Sequence, residues 1–126
     1  MASQIIDTPR APAAIGAYSQ AVVADRLLFT SGQLGLIPET GLLADGVEAQ
    51  ARQAFANLVA ICDEAGTSLA QAVKITIFLA DINEFPIVNK VMEEVVPAPF
   101  PARSCFAVAA LPKAGRVEIE AIVSLA

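Results

Sequence analysis

The sequence predicts an α+β fold in which two helices pack on one face of a mostly antiparallel sheet. Three features carry that expectation: short extended runs broken by turn residues up to Leu36, two segments with apolar residues at three- and four-residue spacing, and extended apolar runs between and after them. The predicted order is βββ-α-β-α-ββ, a single domain over residues 1–126 with no internal repeat or low-complexity segment.

From Gln4 to Leu36, a Pro9–Pro12 segment, the run Ser19–Ala24, an Asp25–Arg26 corner and the run Leu27–Ser31 read as a β-meander. Pro38 to Gly46 is a polar loop. Asp45 with Glu48 three positions later has the pattern of a capping box, opening a helix over about residues 46–65. Val47, Ala51, Phe55, Leu58 and Cys62 form its apolar stripe, and Gly66 supplies the stop. Val73, Ile75, Ile77 and Leu79 alternate with Lys74, Thr76 and Phe78, which predicts a strand. Asp81–Glu84 starts a second helix that tolerates Pro86 in its first turn. Phe85, Val88, Met92 and Val95 are its buried stripe, with Met92 as core filler, while Glu93 and Glu94 face water. Pro97–Pro101 is too stiff and too poor in N–H donors for either element, so it serves as a rigid lead-in that aims the next strand. Ala102–Leu111 and Arg116–Leu125, joined by Pro112–Gly115, then predict a β-hairpin.

Composition narrows the function classes. With 56% hydrophobic and 17% charged residues the chain folds. That apolar share exceeds the roughly 45–50% of a typical soluble domain, so self-association is expected. Eight basic against thirteen acidic residues give a net charge of −5, which opposes binding to nucleic acid or an anionic membrane. No run approaches the ~20 apolar residues of a membrane span. The first residues carry no cationic head followed by an apolar stretch, so the cytosol is the expected compartment. Cys62 and Cys105 lie in different contexts and histidine is absent from the sequence, so neither a disulfide framework, an ordinary zinc site nor an imidazole base is expected.

If the last hairpin closes tightly, residue 111 opposes 116 and Ala109 opposes Glu118, which puts Arg103, Cys105, Glu118 and Glu120 on one face. A guanidinium among Ser, Cys, Phe and Ala needs a planar anionic partner. Two readings are open. Arg103 and Glu118 form an internal salt bridge, or Arg103 binds a small carboxylate two-pronged while Glu118 handles a proton. Tyr18 is a core or interface aromatic, or it borders that site. Ser31–Gly32 is an ordinary turn, or a place where a ligand approaches the backbone. Cys105 without a histidine base reads better as an inert thiol than as a nucleophile. Asn89 is a polar boundary residue.

Pro101–Ala102–Arg103–Ser104–Cys105, followed by Leu111–Pro112–Lys113 and Val117–Glu118–Ile119–Glu120–Ala121, resembles the RidA/YjgF family of reactive-intermediate deaminases. Ala11–Gly16, Tyr18–Ala21, Thr30–Gln33, Gln50–Gln53 and Val88–Asn89 agree with it in order and spacing. The resemblance implies a chorismate-mutase-like protomer in a homotrimer with clefts between subunits. It implies hydrolysis, without metal or cofactor, of enamines and imines such as 2-aminoacrylate, 2-iminopropionate and 2-iminobutyrate, released by pyridoxal-phosphate dehydratases, to a 2-keto acid and ammonia. By the same resemblance Arg103 holds the substrate carboxylate, Glu118 activates water and moves the proton, and Tyr18 closes the pocket. Ser31, Gly32 and Asn89 shape it, and Cys105 lines it. Two alternatives remain: a non-catalytic, regulatory trimer that binds small carboxylates, and the endoribonuclease-type translation inhibition attributed to some relatives, which the acidic balance opposes. Ala17 stands where many relatives have proline.

Overall fold

The computed structural model describes residues 4–126. Its strands are β1 (Gln4–Ile6), β2 (Ala21–Ala24), β3 (Leu27–Thr30), β4 (Gln33–Leu34), β5 (Ala72–Leu79), β6 (Ala102–Ala107) and β7 (Val117–Ser124), and its helices are α1 (Val47–Ala65) and α2 (Phe85–Val95). All seven strands form one sheet, in the order β1-β2-β3-β7-β5-β6, with β4 also pairing β7. Every pairing is antiparallel except that of β5 with β6.

The central β7 explains the layering. Val117, Ile119, Ala121 and Val123 are buried and alternate with partly exposed residues, as a strand with one covered face requires. β5 adds Ile75, Ile77 and Leu79 to that covered face. Ala51, Ala54, Phe55, Leu58, Ile61 and Cys62 of α1, with Val88, Val91 and Met92 of α2, complete the core. Among the described residues no helix covers the other face. It presents Phe29 and Phe106, 41% and 45% exposed, and Phe106 meets Phe78 edge-on with ring centroids 5.4 Å apart. Val73, expected on the apolar side, is instead exposed, because a bulge between Ala72 and Lys74 turns it out of the ladder.

The α1 boundaries follow the expectation, but the cap does not. Gly46 is the N-cap, at φ 89°, and no side chain bonds there, because Glu48 pairs with Arg52 one turn on. Gly66 ends the helix in the left-handed conformation, as expected. Asp81 accepts from the Asn83 N–H and caps a short turn leading into α2, whereas Glu84 forms an ion pair with Arg116 instead of reaching back to Asp81. Among the described residues no helix is long and apolar enough to cross a membrane.

The predicted hairpin of the last two strands is not formed. β6 runs parallel to β5, from Ala102 beside Lys74 to Ala107 beside Leu79, so β5 stands between β6 and β7. Passing through α2 between β5 and β6 returns the chain to the same end of the sheet and makes the pair parallel. Past Ala107 the chain leaves the sheet, and a turn with Lys113 and Ala114 at φ 58° and 57° leads back into β7. Ala109 therefore does not oppose Glu118.

Candidate active site

Register decides which side chains can meet. Arg103 is level with Ile75, which is level with Ala121, so Arg103 and Cys105 lie on the helix-covered face. Glu118 is level with Phe78, and Phe78 with Phe106, so Glu118 and Glu120 lie on the open face. The expectation that all four share one face is wrong, because it rested on the hairpin. The internal Arg103–Glu118 salt bridge is likewise not formed.

Arg103 projects from the edge strand over α2. Its Nη1 donates to Asn89 Oδ1 at 2.5 Å and to Met92 Sδ at 3.8 Å, and its guanidinium carbon lies 5.2 Å from the centroid of the Phe85 ring. Phe85, Asn89 and Met92 fall at i, i+4 and i+7, on one stripe of the helix. Both hydrogen bonds use Nη1, so Nε and Nη2, the edge that takes a carboxylate two-pronged, have no protein partner among the described residues. Nor is Arg103 in any of the ion pairs formed there. The cleft beside it, about 340 Å³, is lined by Asn89, Met92, Glu93, Phe100 and Pro101.

Cys105 lies two residues along β6 and borders an adjoining groove with Ile82, Asn83 and Phe85. Burial raises its thiol pKa and outweighs the opposing pull of Arg103, so the thiol stays protonated and is a poor nucleophile.

Glu118 occupies a second cleft, of about 570 Å³, whose walls include Tyr18, Ser31, Gly32 and Lys113. Its construction begins with Gln20. That side chain is 1% exposed, accepts the Thr8 N–H, and donates to the carbonyls of Thr8, Ala11 and Pro12, which fixes the wall carrying Pro12 and Ala13. Ser31 donates through Oγ to the Ser19 carbonyl and through its N–H to the Gln20 carbonyl, pinning the Tyr18 loop against β3. Tyr18 is half exposed at the cleft mouth. Between β3 and β4 the pairing with β7 slips by one residue, and Gly32 sits in that break. A Cβ on Gly32 would lie 2.8 Å from Glu118 Cδ, so the missing side chain is the space that the carboxyl occupies. Burial chiefly, and the charge of Glu120 next, raise the Glu118 pKa above the ordinary carboxylate value. Glu120 itself borders a different recess, with Thr30, Lys74 and Thr76.

Two half-sites result. One can hold a planar anion and the other can exchange a proton, and a single chain presents them on opposite faces of its sheet. The residue types alone do not reveal Phe85 as the platform under the guanidinium, Phe100 and Glu93 in the Arg103 cleft, or Lys113 at the edge of the Glu118 cleft. The spacing of Phe85 and Met92 around Asn89 was the available signal, and it reads equally well as core packing.

Comparison with known proteins gives these half-sites a context. The family model described as Endoribonuclease L-PSP matches residues 8–125. A 2-iminobutanoate/2-iminopropanoate deaminase of Bos taurus is 52% identical over 120 residues, covering 94% of this chain and 88% of that protein. The crystal structure of RidA from an Antarctic Psychrobacter superimposes with a TM-score of 0.94 at 49% identity, covering 96% of this chain and 98% of that one. E. coli TdcF, solved with bound serine, has a TM-score of 0.89 at 42% identity, covering 96% and 98%. With a match over nearly its whole length and relatives near half identity, this chain belongs to the Endoribonuclease L-PSP family, in which RidA and the imine deaminases stand.

Proposed function

We propose that this protein hydrolyses small 2-imino acids and their enamine tautomers to 2-keto acids and ammonia. One observation carries the reading: among the described residues the Nε–Nη2 edge of Arg103 is free of any acidic partner, while Glu118 carries a carboxyl whose pKa is raised by burial. An iminium carbon is already electrophilic, so the protein has to supply a held carboxylate, a placed water and one acid/base group. Arg103 fixes the carboxylate. Glu118 takes a proton from the attacking water and passes it to the nitrogen; as the C–N bond breaks and the carbonyl forms, the carboxylate takes the hydroxyl proton and the nitrogen leaves as ammonia. Tyr18 closes the cleft, Ser31 holds the Tyr18 loop, and Gly32 keeps space beside the carboxyl. Asn89 orients Arg103, and Cys105 lines the wall. The serine bound by TdcF, a molecule with an α-carboxylate, is in keeping with such a site.

A substrate that needs both half-sites needs two copies of the chain, with Arg103 from one and Glu118 from the next. The uncovered sheet face with Phe29, Phe78 and Phe106, and the unpaired edge of β6, suit such an assembly, and a homotrimer is the state proposed. Two free cysteines suit a reducing compartment, and the cytosol is the proposed location. The net charge of −5 favours this chemistry over RNA cleavage.

The test is keto-acid release from 2-aminoacrylate generated in situ, measured above the spontaneous rate. Acceleration by the wild type that disappears in Arg103→Ala is the expected result. Pyruvate binding without acceleration would replace catalysis by a purely binding role.

A further inference from the structure

The Arg103 cleft contains an acidic side chain, Glu93, to which the proposed hydrolysis gives no task. Resting on the imino-acid reading, we propose that Glu93 is a positioning residue, which sets the amide of Asn89 and through it the orientation of Arg103.

The argument is one of donors and acceptors. A guanidinium only donates, so the atom of Asn89 facing Nη1 must be Oδ1. An ionised carboxylate only accepts, so the atom facing Glu93 must be Nδ2, and Asn89 Nδ2 does donate to Glu93 Oε1 at 3.0 Å. Turning the amide over would set donor against donor at Arg103 and acceptor against acceptor at Glu93. Two neighbours of opposite character thus demand one orientation of the same group. The four-residue spacing of Asn89 and Glu93 on α2 makes both contacts possible at once.

Without Glu93 the amide can turn toward water, and the exposed Arg103 side chain loses the anchor at Nη1. Glu93 makes no ion pair with Arg103, so it supplies orientation without neutralising the guanidinium. The Nε–Nη2 edge then stays directed at the ligand, and the ordering cost falls on folding instead of binding. The contact acts on carboxylate affinity and leaves the proton chemistry at Glu118 alone.

The experiment combines calorimetric titration with pyruvate and steady-state imine hydrolysis. In Glu93→Ala, pyruvate binding weakens about tenfold and KM rises by a similar factor, the scale of one hydrogen bond to a charged group, while kcat falls far less. Glu93→Gln, whose amide oxygen still accepts from Asn89 Nδ2, restores both. Asn89→Asp, which places a carboxylate directly against Arg103, weakens pyruvate binding more than Glu93→Ala does. Wild-type affinity in Glu93→Ala, or equal loss in Glu93→Gln and Glu93→Ala, would overturn the positioning role while leaving the deaminase reading intact. A wild-type protein that neither binds pyruvate nor accelerates hydrolysis would remove that reading and this inference together.

Discussion

At the scale of single residues, the two half-sites make opposite demands on their surroundings. For the proposed role Arg103 has to stay charged and unneutralised, and lysine does not substitute for it, because an ammonium offers a point charge where a carboxylate needs two parallel donors. Arg103→Lys therefore keeps the fold but loses most of the pyruvate affinity, which titration of the two proteins will measure. In the same proposal Glu118 exchanges a proton with the attacking water. Its folded pKa lies above its unfolded value, so its contribution to stability is complete below the unfolded carboxylate range and is lost as pH rises through the raised value. Glu118→Gln should accordingly melt higher than wild type at neutral pH, while its hydrolysis collapses. The difference in melting temperature should narrow as the pH falls and vanish below about pH 4, where the carboxyl is protonated in the folded and the unfolded chain alike. Gly32 belongs with Glu118: a Cβ 2.8 Å from Cδ would push the flexible carboxyl aside without straining the backbone. Gly32→Ala should lower kcat by roughly ten- to a hundredfold, the scale of a misplaced catalytic group, with little change in melting temperature.

Elements fix where those residues point. α2 was legible as an amphipathic helix, yet its stripe divides its labour. Val88, Val91 and Met92 reach the core, and Phe85 and Asn89 turn toward Arg103. Binary pattern specifies which side of a helix is covered, and it is silent on whether a neighbouring strand delivers an aliphatic or a guanidinium there. β4 depends on α1 in a way that no periodicity shows. Asn57, fully buried, donates to the carbonyls of Leu34 and Leu36, and a Cβ on Gly35 would lie 2.4 Å from the Gln50 carbonyl oxygen. The strand rests directly on the helix backbone. Gly35→Ala should thus cost about 1–3 kcal/mol in denaturant unfolding, the usual penalty of overpacking a site whose neighbours cannot yield.

For the whole molecule, the open sheet face and the separation of Arg103 from Glu118 point the same way. Phe106→Asp should leave the protomer folded, shift its mass in light scattering from that of the proposed trimer to that of a monomer, and abolish turnover. A sharper check mixes two inactive proteins. Arg103→Ala and Glu118→Gln, unfolded and refolded together, should regain a share of the activity that neither has alone, because some interfaces then receive an intact residue from each partner. Recovery no greater than the sum of the separate proteins would place both half-reactions in one chain.

The amino-acid order by itself determined the two helices, the central alternating strands and the Gly66 stop, because each depends on local propensity or a short period. It also carried the family resemblance, through motifs around Arg103 and Glu118. Tertiary structure alone decided strand partnership. The crossover through α2 lays β6 beside β5, so that parity along the sheet sends Arg103 and Glu118 to opposite faces. Pairing between distant strands follows from the path of the whole chain, whereas the turn residues that suggested a hairpin act only on their immediate neighbours.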